Sequence, residues 1–428
     1  MDRYQNSEAW LARAEHVIPL ASQTFSKSRT QLPVGAAPLF AARAQGSKLW
    51  DIDGNEFIDL TSALACVTLG YAHPVVDEAI RKQLKDGITL SLPHRLECEV
   101  AERLVALVPS AEMVRFGKNG SDATSAAVRL ARAHTGRDRI AVCGYHGWHD
   151  WYIGSTTRSL GVPLAVQELT HPFTFNDLGS LKEVFAAHPN EFAAVIMEPM
   201  SYEFPLPGFL EGVQELCDRD GALLVFDETI TGFRFHSGGA QSLFGVTPDI
   251  STFGKGLANG MPLSAVVGRR SLMQGMEDIF FSGTFGGETL SLAAAEAVLG
   301  FIQEEPVIDT LAYEGTYLSN TVEDIILSSG TGDFLALGGH PSWQTLRITD
   351  EDTYIAWGLR TLLLQEMFAR NVFTIGAHCI TYSHSRNDLE AVANAYREVL
   401  PLMARARAQG NIDDLLQGER LRPLFSVR

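Results

Sequence analysis

The sequence predicts an α/β fold, with a large domain on a mostly parallel sheet covered by helices and a smaller α+β domain beside it. Three observations predict it. Between about 110 and 270, short apolar runs recur at 139–145, 193–199, 222–228, 249–254 and 262–268. Helix-like segments such as 123–135 and 208–220 separate several of them, and continuous apolar strands alternating with helices mark a sheet buried on both faces. Beyond about 300 the pattern turns helical with a few strand-like pieces. With 428 residues the chain exceeds a single core. The expected division is an N-terminal segment, 1–60, packing with a small domain of 301–428, around a large domain of 61–300.

In chain order, residues 7–17 read as a short amphipathic helix. "KLWDIDGNEFIDLTS" (48–62) reads as a hairpin turning at Asp53-Gly54. "VRFGKNGSDATSAAVRLARAHTG" (114–136) runs from a strand through a Gly/Asn/Ser turn into an alanine-rich helix, with Ser121 or Asp122 as its N-cap. Free N–H groups and the helix dipole favour an anion there, and Gly120 permits close approach. The next strand leads into "CGYHGWHDWY" (143–152), whose aromatic rings can cover a planar ligand. His146 and His149 have no further ligand cluster at metal-binding spacing, so no metal is expected. Two further strands end in Glu198 and in Asp227-Glu228. In such sheets, ligands sit beyond the carboxyl ends of strands. Lys255 then stands between Gly254 and Gly256. A phosphate-binding P-loop fails here, because Asp249 and Gly256 occupy the positions where Gly and Ser/Thr are required. "SWQTLRIT" and "FTIGAHCITYS" read as strands of the small domain, with a long helix near 387–408 after them.

Composition narrows the function. At 46% hydrophobic and 20% charged, the chain is an ordinary globular protein. Its net charge of −17 argues against sequence-independent nucleic-acid binding, which needs a basic face. No apolar stretch approaches the ~20 residues of a membrane span. The N-terminus lacks the apolar core of a signal peptide. The five scattered cysteines suit a reducing cytoplasm, the expected location.

A carboxylate and a lysine at neighbouring strand ends, an anion-binding helix start and an aromatic cover fit one cofactor together, pyridoxal phosphate. Its aldehyde condenses with a lysine amine, and its ring nitrogen needs an acid partner to stay protonated.

The chain also resembles the class III pyridoxal phosphate-dependent aminotransferases of fold type I, most closely the glutamate-1-semialdehyde aminomutase-like branch. The resemblance rests on "LWDIDGNEFIDL", "NGSDAT", "YHGWHD", "MEP", "VFDETITGFR", "STFGKGLANGMPLSAVVG" and "SGTFGGETLSLAAA". It implies that Lys255 carries the cofactor and shuttles the proton, and that Asp227 pairs with the ring nitrogen. Gly120 and Ser121 would hold the phosphate, while Tyr145 and Thr229 would cover the two ring faces. Thr284 would reach a neighbouring subunit's phosphate, so a homodimer is expected. His146, Glu198 and Glu203 match further positions around the site. Departures from the aminomutase pattern bear on substrate. Glu203 replaces an Asn, Lys27 falls where an arginine clamps a substrate carboxylate, a gating Glu is missing near Gly376 or Ala377, and Glu288-Thr289 replaces Asn-Pro.

The expected reaction is transfer from an amino donor such as glutamate to a keto or aldehyde acceptor. Similarity to aminomutase-like transaminases points to polysaccharide or secondary-metabolite biosynthesis. The alternatives are a true glutamate-1-semialdehyde 2,1-aminomutase, an enzyme that uses the same cofactor for decarboxylation or racemisation, and a catalytically silent cofactor-binding interaction protein.

Overall fold

The computed structural model describes residues 3–423. The chain forms two compact units, one of residues up to His73 together with those from Asp309 onward, the other Pro74–Ile308.

The first unit opens with the helix Gln5–Glu15. Strands β1 (Ala41–Gln45), β2 (Lys48–Asp51) and β3 (Glu56–Asp59) come next as an antiparallel meander. The expected hairpin is therefore present, with Leu49 opposite Phe57. Its turn also anchors the first helix: the Asp53 carboxylate accepts the N–H groups of Asn6 and Ser7 at 2.6 and 3.0 Å. Immediately after β3 the backbone does something unusual. Ser62, Ala63, Leu64 and Ala65 have φ of 49, 51, 62 and 65°, one complete left-handed turn made of residues that carry a Cβ. Asp59 Oδ1 accepts Thr61 N and Ser62 N at its start, at 2.7 and 3.2 Å.

The second unit holds a seven-stranded sheet: β4 (Met113–Gly117), β5 (Arg139–Cys143), β6 (Thr170–Pro172), β7 (Phe192–Met197), β8 (Leu223–Asp227), β9 (Ile250–Phe253) and β10 (Ser264–Gly268). Their spatial order is β4-β10-β9-β8-β7-β5-β6. From β9 to β6 all pairs are parallel, whereas β10 runs antiparallel to both neighbours. The ten residues between Phe253 and Ser264 are too few for a crossover, so the chain reverses there. One sheet face packs Ile140, Val142, Ile196 and Val225 against the small residues of helix Gly120–Thr135. The other packs Ala141, Val195, Leu224 and Phe226 against Leu181, Phe185, Val213 and Leu216 of helices Leu178–Ala187 and Phe209–Asp220. Successive side chains alternate between the two layers, as a pleated strand requires.

Returning to the first unit, β11 (Leu335–His340), β12 (Trp343–Ile348) and β14 (Ala377–Cys379) form one small sheet, while β13 (Val372–Phe373) pairs in parallel with β3. "FTIGAHCITYS" is thus two strands in two sheets, broken where Gly376 takes φ of 93°. The helix Arg386–Gln409 covers them, burying Leu389, Val392, Tyr396, Val399 and Met403. Among the described residues no helix is long and apolar enough to cross a membrane.

Candidate active site

Asp227 ends β8, 4% exposed. Its Oδ1 accepts Thr229 N at 3.1 Å, Thr229 Oγ1 at 2.5 Å and Thr252 Oγ1 at 3.1 Å. Its Oδ2 lies 2.9 Å from His146 Nδ1. Burial pushes this carboxyl's pKa up, but the bonds and charge of His146 and the donors of Thr229 outweigh it, so it lies below the usual value. A buried carboxylate held anionic in this way suits a cationic partner.

His146 lies just past β5 and is buried. Its Nε2 faces Cys143 O at 3.2 Å, so both ring nitrogens have an oxygen partner and the ring is held in place. Tyr145 beside it is 47% exposed and meets Tyr152 edge-on at 5.6 Å, which leaves ring surface uncovered for a planar ligand. Glu198 lies just past β7 and accepts Tyr145 N at 3.1 Å. Burial, and then the Asp227 charge, raise its pKa above the ordinary carboxylate value. Two carboxyl groups are thus pushed in opposite directions, one toward the anion and one toward the neutral acid.

Lys255 lies three residues past the Asp227–Thr252 pair of β8 and β9. Its φ is 40°, a left-handed conformation rare for a residue with a side chain and common at functional sites. It is half-buried, and no hydrogen bond or ion pair ties its amine to a described residue. A Cβ on Gly254 would meet Thr229 Cγ2 at 3.3 Å and Gly120 Cα at 3.9 Å, so the lysine loop, Thr229 and the helix start converge.

Helix Gly120–Thr135 begins at Asn119. Asp122 Oδ2 accepts Lys118 N and Asn119 N at 3.0 and 2.8 Å. Asn119 is therefore the N-cap, correcting the expectation of Ser121 or Asp122, and Asp122 instead reaches back from N3. The N–H groups of Gly120 and Ser121 reach no acceptor among the described residues, which leaves them for an anion. A Cβ on Gly147 would fall 2.2 Å from Ser121 Oγ, so glycine is needed for Trp148 N to donate to that hydroxyl at 3.2 Å.

Asp227, Thr229, His146, Tyr145, Glu198, Gly120, Ser121 and Lys255 therefore gather at one end of the sheet. Among the described residues, no hydrogen bond or ion pair joins Glu203 or Thr284 to them; both are exposed. Lys27 lies in the first unit, on a cavity of about 410 Å³ that Asp59 and Tyr71 also line. Sequence reasoning missed Thr252 and Gly147. The available signal was the pair Ser251-Thr252, two hydroxyls inside an otherwise apolar buried strand.

The residues present fit pyridoxal phosphate. Free amides at a helix start suit its phosphate, the anionic Asp227 suits its ring nitrogen, and an amine with no ion-pair partner among the described residues suits its aldehyde. Comparison with known proteins agrees. Residues 31–333 match the family model "Aminotransferase class-III". The 3-aminobutyryl-CoA aminotransferase of Cloacimonas acidaminovorans is 36% identical, over 86% of this chain and 90% of its own length. The glutamate-1-semialdehyde 2,1-aminomutase of Syntrophobacter fumaroxidans is 35% identical, over 89% of this chain and 95% of its own. Aminomutases from Desulforamulus reducens and Methanosarcina acetivorans stand at 34% and 33%. Among solved structures, the FumI protein of Sphingopyxis sp. MTA144, in its PLP internal aldimine form, superposes with a TM-score of 0.88 at 29% identity, covering 96% of this chain and 100% of that one. The chain belongs to the class III aminotransferases, pyridoxal 5′-phosphate-dependent enzymes of fold type I.

Proposed function

We propose that this enzyme relocates an amino group on a small carbonyl substrate and that the exchange stays within one molecule, as in the 2,1-aminomutases. The observation that carries this reading is the set of three aminomutase relatives, matched over 89–92% of the chain. When bound, the cofactor supplies an electron-withdrawing ring that lowers the cost of breaking the substrate's C–H bond. Gly120 and Ser121 would bind the phosphate, and Tyr145 and Thr229 would enclose the ring. Asp227 would keep the ring nitrogen protonated, with His146 holding Asp227 in place. Lys255 Nζ would hold the aldehyde carbon and, once freed, take and return the substrate proton as general base. Glu198, which accepts Tyr145 N, would fix the backbone that carries the ring-covering tyrosine. The proposed working form is a homodimer in the cytoplasm, with Thr284 contributing to the partner's site; the exposed Phe280 and Phe285 flanking it support that reading.

A second reading has specific support. Lys27, Glu203, the missing gating Glu near Gly376 and Glu288-Thr289 all depart from the aminomutase pattern, and the relative from Cloacimonas is named an aminotransferase. In that case a donor such as glutamate would load the cofactor and a keto or aldehyde compound would accept the amine. One assay separates the two. The pyridoxamine form is given glutamate-1-semialdehyde alone, and 5-aminolevulinate is measured. Formation without a donor supports the intramolecular reading. Product that appears only with an added amino donor, and with release of its keto acid, sinks it. A cofactor spectrum unchanged by every donor and by the semialdehyde would leave the silent binding protein.

A further inference from the structure

Lys118 directly precedes the Asn119-Gly120-Ser121 turn, and its Nζ lies 3.1 Å from Glu288 Oε2. The two side chains are 19% and 12% exposed, so the pair is more sheltered from solvent and salt than a surface bridge. Glu288 in turn begins helix Thr289–Glu304. Its Oε1 accepts Leu290 N at 2.7 Å, and its Oε2 accepts Ser291 N at 3.2 Å and Ser291 Oγ at 2.6 Å. Burial raises the pKa of this carboxyl, but the Ser291 and Lys118 bonds outweigh it and favour the anion. On the far side of the turn, Asp122 holds the Lys118 and Asn119 amides. The turn is therefore braced twice: from within its own helix by Asp122, and from a helix 170 residues later by Glu288.

We propose that Glu288 and Lys118 form a strut that positions the phosphate cradle, making Glu288 a positioning residue for cofactor binding. Amides bind an anion well only when they already point at it, because ordering them at the moment of binding subtracts from affinity. The strut fixes the residue that enters the cradle. It also joins the cradle to the 283–288 segment that carries Thr284. Where that threonine serves the partner's phosphate, one ion pair links the two phosphate contacts made by a single chain. The proposal rests on the reading of Gly120 and Ser121 as phosphate ligands.

The test uses Glu288→Gln, which retains a side-chain acceptor for the helix start, and Lys118→Met, each titrated as apoenzyme with pyridoxal phosphate and with pyridoxal. Each variant is expected to raise the pyridoxal phosphate Kd about fivefold, the scale of a partly sheltered ion pair. Pyridoxal affinity should stay at its wild-type value. The double variant should be no weaker than the weaker single variant, because both remove one interaction. An unchanged pyridoxal phosphate Kd, an additive double variant, or an equal loss of pyridoxal affinity would each overturn the strut. If the wild type itself binds pyridoxal as tightly as the phosphate ester, the cradle reading fails instead.

Discussion

At Asp227, burial and hydrogen bonding act in opposite senses, and the donors win. Replacing it with Asn keeps the size but removes the charge that balances a protonated ring nitrogen. Asp227→Asn should retain part of the cofactor affinity while slowing turnover by about 10²–10³-fold, the scale of losing one well-placed charge partner; steady-state rates beside a cofactor titration would check it. Lys255→Ala should leave the fold intact, abolish turnover and remove the long-wavelength absorbance of the lysine-bound cofactor. The pH consequence of Asp227 comes from the direction of its shift. A carboxyl whose folded pKa is depressed contributes stability above its unfolded value of ~3.9, lost only as pH falls through the lower folded one. His146→Gln removes the main partner that stabilises the anion, so acid loss of near-ultraviolet ellipticity around the site should move to higher pH. These residues were legible in the sequence because a carboxylate closing an apolar run and a lysine between glycines are both out of place unless used. Thr252 was not legible. A threonine in a strand is ordinary, and only the β8–β9 register shows that its hydroxyl meets Asp227.

Elements were read correctly where their pattern is local. The strand cores of the large sheet and the helices flanking them can be read from apolar runs, glycines and small-residue faces. Direction was harder to read. The run at 262–268 has the same apolar character as its neighbours, and only the short connection from Phe253 turns β10 against the others. Helix starts were also misplaced: Asp122 looks like a cap in sequence but acts from N3 on the amides before it. Asp122→Ala should therefore cost about 1 kcal/mol, as cap losses do, measured by denaturant unfolding of the apoenzyme. Gly147→Ala is a sharper test of the same turn. Its φ of 100° and the 2.2 Å approach to Ser121 Oγ leave no room for a methyl group. The variant should lose cofactor affinity by at least about tenfold, far more than a cap, and equilibrium dialysis would show it.

For the whole chain, the sequence pattern separates the sheet region from the helical region after it, because buried parallel strands look unlike amphipathic helices. The expectation that the N-terminal segment packs with the small domain rests on the overall pattern and not on a local mark, since β13 beside β3 is only two residues long. The part of that unit from Asp309 onward also carries an acid sensitivity. His378 and His384 are buried, and burial lowers each pKa to about 4. Such groups are neutral when folded and protonate more readily when unfolded, so stability should fall as pH drops from ~6.5 toward 4, by at most about 3 kcal/mol for each. Thermal unfolding followed across that range should show the decline, and His378→Gln should flatten it. A decline of equal slope in the variant would place the acid sensitivity elsewhere.

The left-handed turn at Ser62–Ala65 reverses a common rule of protein engineering. Glycine ordinarily weakens a chain, because it enlarges the set of shapes available before folding. Here the side-chain-bearing residues each strain a conformation that glycine adopts freely, at ~1–2 kcal/mol per position. A library that samples glycine at Ala63 and Leu64 should therefore enrich for heat-tolerant clones, and the winners would reveal whether that strain serves turnover or is merely inherited.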